Sequence, residues 1–132
     1  MIFESELYWK SDAIEDLDKI GIVLIDDFEI LENEIIGNPE YYHTTELLIS
    51  SKDRDRIIKK IENSNNYKHI DIKKSLSSQV NRNVNIKEIW NYKFDNSYVR
   101  ESIEIKDEYV PVEITVKLRN NSDTLGLSVI MD

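Results

Sequence analysis

Residues 86–131 read IKEIWNYKFDNSYVRESIEIKDEYVPVEITVKLRNNSDTLGLSVIM, and this stretch decides the fold. Ile86, Trp90, Tyr92 and Phe94 share one parity, and Asp95-Asn96-Ser97 follows as a turn. Val99, Ile103 and Ile105 share the next parity, up to the turn residues Asp107-Glu108. Val110, Val112, Ile114, Val116 and Leu118 then alternate with Pro111, Glu113, Thr115 and Lys117. After Asn120 to Asp123, Leu125, Leu127, Val129 and Met131 alternate with Thr124, Gly126 and Ser128. Period-two alternation over four runs describes strands with one buried face and one wet face. Short connections make consecutive strands antiparallel neighbours. The expected meander spans about 86–94, 98–106, 109–119 and 123–131, with Trp90, Tyr92 and Phe94 in the core. Its expected wet face carries Lys93, Arg100, Glu104, Glu113 and Lys117.

Working back from the meander, Ser50-Ser51-Lys52-Asp53 has capping-box spacing, and Ile57, Ile58 and Ile61 form one apolar stripe. They predict a helix over about 52–63. Asp12-Ala13-Ile14-Glu15 has the same form, with Ile14, Leu17 and Ile20 as its stripe and Gly21 as its stop. That predicts a helix over about 12–20. Between the helices, the β-branched run Ile22 to Ile25, the slip at Asp26-Asp27 and the Gly37-Asn38-Pro39 turn predict a long hairpin ending near Ser50. Residues 65–85 are polar and Asn/Ser-rich, the pattern of a mobile or binding loop. The order is α-β-β-α-β-β-β-β. The expected architecture is an α+β two-layer sandwich: one domain over 1–132, a mainly antiparallel sheet of about six strands, and two helices on one face.

The chain has 132 residues and a net charge of −9, unevenly spread. Residues 1–46 hold 13 acids and two lysines, while residues 52–87 hold 10 bases and four acids. This acidity argues against nucleic acid and against anionic membrane surfaces as partners. No run approaches the roughly 18 apolar residues of a membrane span. The start Met1-Ile2-Phe3-Glu4 lacks signal-peptide form, so the expected location is cytoplasmic. A cell-envelope or secreted location is the alternative if a leader has been removed.

With no cysteine, disulfides and thiolate chemistry are excluded. Three isolated glycines assemble no phosphate loop, and no Gly-x-Ser-x-Gly elbow is present. No cofactor, metal site or catalytic residue is expected. His43, within Tyr41-Tyr42-His43-Thr44-Thr45, is the one plausible general base, which leaves a small hydrolase as an alternative function. The leading expectation is a non-catalytic, acidic, bacterial protein-binding module of immunity or inhibitor type with a basic protein partner. A third reading is an envelope-associated domain. Candidate contact residues are the aromatic pair Tyr8 and Trp9, the acids Asp26, Asp27, Glu29, Glu32 and Glu34, and the group Tyr41, Tyr42 and His43. A free edge strand could also pair with its copy to form a homodimer.

Overall fold

The computed structural model describes residues 9–37, 41–70, 85–106, 111–119 and 121–131. Tyr8, most of the 65–85 segment and the Asp107-Glu108 turn lie outside them. The described elements are α1 (Lys10–Lys19), β1 (Glu29–Ile36), β2 (Tyr41–Leu48), α2 (Ser51–Glu62), β3 (Lys68–His69), β4 (Ile86–Phe94), β5 (Ser97–Ile105), β6 (Val112–Arg119) and β7 (Thr124–Met131). They form one seven-stranded sheet in the order β1-β2-β7-β6-β5-β4-β3. Every pairing is antiparallel except the two-residue β3 against β4, so the sheet is mixed and has one strand more than expected. The meander β4–β7 is present, and the β1–β2 hairpin extends it through β7.

The helices cover one face. Ala13, Leu17 and Ile20 of the α1 region and Ile57 and Ile61 of α2 pack with Leu47, Ile114, Val116, Leu118, Leu125, Leu127 and Val129. Full burial of each large aliphatic contributes roughly 1.5–3 kcal/mol. The α1 stripe is Ala13–Leu17–Ile20 rather than Ile14–Leu17–Ile20, so Ile14 is left 54% exposed. The helix also starts earlier. Asp12 occupies its third position and accepts the Trp9 N–H at 2.8 Å, a capping role from inside the helix. Gly21 ends α1 at φ +75°, a conformation that favours glycine. A side chain at Gly21 would also crowd the Arg100 guanidinium, 3.3 Å from where its Cβ would sit.

The sheet does not keep one apolar face. Tyr98, Arg100, Ser102 and Glu104 of β5 stand opposite Leu118, Val116, Ile114 and Val112 of β6, on the helix side. The apolar set of β5, namely Val99, Ile103 and Ile105, therefore points away from the helices. Ile86, Trp90, Tyr92 and Phe94 of β4 point away with it. Alternation fixes which residues of one strand share a face, and a one-residue change in the connection to the next strand exchanges the faces. Of the expected wet set, Lys93, Arg100 and Glu104 thus lie on the helix side, and Glu113 and Lys117 on the helix-free side. Arg100 is accommodated there because Nε donates to the Ile20 carbonyl at 2.7 Å and Nη1 to Asn91 Oδ1 at 2.8 Å. The first of these bonds satisfies a carbonyl at the C-terminal end of α1. Asn91 in turn donates to Asn66, which donates to the Ile89 carbonyl.

Residues 22–25 form no strand. Their segment is held by Asp53, the third residue of α2, which is 1% exposed. Its carboxylate accepts the Ile25 and Asp26 N–H groups, each at 3.0 Å, and pairs with Arg56. Amides that a strand would give to a ladder go to a carboxylate instead. Ser50 caps α2 as expected, accepting the Asp53 N–H at 3.0 Å, and its hydroxyl donates to Asp26 at 2.6 Å.

Candidate functional site

Folding mixes the charge regions that are separate along the chain. Lys10 meets Asp27 at 2.9 Å, Arg54 meets Asp123 at 2.8 Å, and Arg56 reaches both Asp53 and Asp26. Asp26 and Asp27 are thus engaged inside the molecule. The hydrogen bond from Lys10 is the main cause holding the Asp27 carboxyl below its ordinary range. Glu29, Glu32 and Glu34 come together on the helix-free side of the hairpin, with Glu32 opposite Glu46 on β2. Tyr42 shares that side, whereas Tyr41 and His43 lie on the helix side. Trp9 precedes α1 and is exposed.

His43 is 2% exposed. Its Nε2–H donates to Asn33 Oδ1, Thr45 Oγ1 lies 3.2 Å from the same nitrogen, and the Tyr41 hydroxyl is 3.5 Å from Nδ1. A general base must reach the proton it removes, and this ring is enclosed between sheet and helix layer. Burial lowers the His43 pKa, against an opposing pull from Asp16 and Asp12. The consequence for stability has a definite sign. Below the ordinary value of 6.5 the unfolded chain takes up a proton that the folded chain resists. Stability is therefore full above that value and falls as pH drops beneath it. Urea denaturation at neutral and mildly acidic pH is expected to show this loss in the wild type, and a smaller loss in His43→Gln.

Two of several concave features among the described residues combine apolar walls with charged groups. One is a groove of about 290 Å³ between α1 and the 22–24 segment. Leu17 and Ile22 form its floor, exposed Ile14 and Val23 (69% exposed) its lips, and Glu15 and Asp18 its polar rim. Glu15 and Asp18 join no ion pair with the described residues. Beyond Val23 lies a basic shelf with Arg56 and Lys60. The sequence signals for this groove were Ile14 beside the small Ala13, and the apolar run at 22–25. Ile14 reads as part of the buried stripe and residues 22–25 as a strand, because periodicity alone does not say where a stripe is centred.

The second feature is a cavity of about 310 Å³ on the helix-free face. Tyr42, Tyr92, Phe94, Ile70 and Val99 form its apolar walls, and Ser97, Thr115 and Ser128 supply hydroxyls. Glu101 and Lys117 supply one charge of each sign. The Tyr92 hydroxyl donates to Glu101 Oε2 at 2.9 Å, and both residues are buried. Burial, and then the charge of Glu101, push the Tyr92 phenol far above its ordinary range, so it remains a donor.

Among the described residues, no group of three or more His, Asp and Glu side chains is placed to hold a metal ion, and no helix is long and apolar enough to cross a membrane. No protein-family model, curated protein or solved structure matches the chain.

Proposed function

We propose that the chain is a non-catalytic protein-binding module of immunity or inhibitor type, and that it docks a basic protein partner at the groove between α1 and residues 22–24. The observation that carries this reading is the pairing of exposed apolar lips, Ile14 and Val23, with a rim of carboxylates, Glu15 and Asp18. Interfaces concentrate binding energy in a few apolar or aromatic anchors surrounded by groups that exclude water. Carboxylates around such anchors attract a cationic surface and speed encounter. The partner therefore presents an apolar side chain flanked by Lys or Arg. An acidic residue further along the partner would suit the shelf of Arg56 and Lys60.

The acidic hairpin face of Glu29, Glu32, Glu34 and Glu46 also carries exposed apolar groups, with Leu48 opposite Glu29 and Ile36 opposite Tyr42, and is the second candidate contact surface. Self-pairing through β1 is disfavoured, because a bulge between Ile30 and Glu32 interrupts the strand and its glutamates repel their copies.

The test is capture from host lysate by the tagged chain, followed by titration of the purified partner. A basic protein is expected, with affinity reduced roughly 30-fold or more by Val23→Arg. Glu15→Lys with Asp18→Lys is expected to slow association and flatten its salt dependence. Unchanged affinity in all these variants, with loss on reversing Glu29, Glu32 and Glu34, would move the contact to the hairpin. Failure to capture any basic protein would count against the whole reading.

A further inference from the structure

Residues 22–25 have the composition of a strand and no sheet to join. Two properties of the segment repeat with a period of two. Burial alternates: Ile22 is 2% exposed and Leu24 is partly buried, whereas Val23 and Ile25 are 69% and 68% exposed. The amides alternate as well. The Ile22 N–H goes back to the Leu17 carbonyl of α1 at 2.9 Å, and the Ile25 N–H goes to Asp53 of α2 at 3.0 Å. Extended backbone has both properties. Its successive side chains point to opposite faces, and its successive residues aim their N–H and C=O groups to opposite edges.

By the same alternation, the Ile22 carbonyl and both backbone groups of Leu24 belong to the α1 edge. Ile22 and Leu24 line the groove there. Among the described residues, none makes a hydrogen bond to these three groups. The backbone groups of Val23 belong to the α2 edge, where the residue is open to water. The Ile22 carbonyl has little access to water, since the whole residue is almost fully covered. Buried backbone groups are nearly always paired. The α1 edge of the segment is therefore an unused strand edge.

The groove suits a chain laid along that edge. An added strand lies about 4.8 Å from its neighbour, over the floor of Leu17 and beside Ile14. One set of its alternate side chains then meets Leu17 and Ile14. The other set meets the rim, where Glu15 and Asp18 join no ion pair with the described residues. A helix laid in the groove would leave the Ile22 and Leu24 groups unpaired, because the backbone of a helix interior is already satisfied within itself.

We infer that the partner enters the groove as an extended segment that adds a strand to residues 22–24. Its main chain hydrogen-bonds the Ile22 carbonyl and the Leu24 N–H and C=O, and its side chains alternate between apolar and cationic. In strand addition of this kind the backbone bonds supply affinity and the alternate side chains supply specificity. The inference rests on the docking reading above and adds the conformation and sequence pattern of what docks.

The experiment uses the full chain and a synthetic probe, the acetylated and amidated peptide Lys-Val-Lys-Val-Lys-Val. Two further copies carry N-methyl groups, one on every lysine amide and one on every valine amide. Each copy keeps the side chains and the charge but loses the donors along one edge. The parent peptide is expected to give saturable backbone-amide NMR shifts at residues 14, 15, 18 and 22–24. One methylated copy is expected to bind like the parent and the other at least about tenfold more weakly. At saturation with the parent, the Leu24 amide is expected to exchange with solvent at least about tenfold more slowly. Three outcomes would overturn the inference. They are alike behaviour of the two methylated copies, an unchanged Leu24 exchange rate, or no saturable shift up to about 10 mM parent peptide. The docking reading itself is decided by the captured partner and Val23→Arg. A partner that Val23→Arg weakens, but that leaves Leu24 exchange unchanged, docks at the groove in another conformation and overturns strand addition alone.

Discussion

Asp53→Ala is expected to lower the stability of the chain by roughly 3 kcal/mol, the loss of several charge-assisted hydrogen bonds at once. The carboxylate sits at the third position of α2 and is almost fully buried. It binds the Ile25 and Asp26 amides and Arg56, and thereby fastens the segment between α1 and β1 to the second helix. Arg56 is partly exposed, so water recovers some of the ion-pair energy. The two amides carry most of the effect. For a chain of this size the loss corresponds to a fall in Tm of about 10 °C, measurable by calorimetry or thermal circular dichroism. Asp53→Asn keeps an acceptor oxygen and is expected to lose about half as much. Burial alone would raise the Asp53 pKa, but the Ile25 amide, Arg56 and the Asp26 amide together hold it below the ordinary 3.8. Its contribution is therefore full above that value and disappears as pH falls through the lowered one. A wild-type stability equal to that of Asp53→Ala at neutral pH would show that the 22–28 segment is held by other means.

The second large effect is expected at Ile103. This residue points away from both helices, yet it is 0% exposed. In a two-layer sandwich with one wet face, truncating a residue on the wet side costs little, within about 0.5 kcal/mol. Here Ile103→Ala is expected to cost about 3 kcal/mol, as for any large aliphatic removed from a close-packed interior. Lys117→Ala, on the same face two strands' width from the hairpin, is expected to stay within about 0.5 kcal/mol. Urea midpoints of the two variants compare them directly. Equal, small effects would mean that the β4–β5 half of the helix-free face is solvated after all.

This contrast also shows what was legible from the residues. The span of β4, the cap of α2 by Ser50 and the stop of α1 at Gly21 each rest on local chemistry, and each is where that chemistry places it. The exchange of faces between β5 and β6 was not legible, because it depends on the register of a connection rather than on the alternation within either strand. The two-residue β3 carries too little pattern to be recognised at all. Ile22 to Ile25 has the composition of a strand, but a buried carboxylate twenty-eight residues beyond Ile25 takes its amides. The same limit applies to the sites. Candidate acids were visible as a concentration in the first 46 residues, but whether they converge is a tertiary property. Glu29, Glu32 and Glu34 share one face of the hairpin, while Asp26 and Asp27, both exposed, are engaged by Arg56, Ser50 and Lys10. The cavity holding Glu101 and Lys117 draws on β2 and β4–β7 together with Ile70, and no single stretch of sequence announces it.

Methyl NMR of the chain in complex with a captured basic partner reports the proposed contact itself. Ile14 and Val23 carry methyl groups on the lips of the α1 groove, and Ile103 and Ile105 carry reporters on the other side of the sheet. Under saturating partner the Ile14 and Val23 resonances are expected to shift and broaden while those of Ile103 and Ile105 stay in place. Unperturbed Ile14 and Val23 in a fully formed complex, with changes confined to the β1–β2 hairpin or the helix-free face, would contradict docking at the groove.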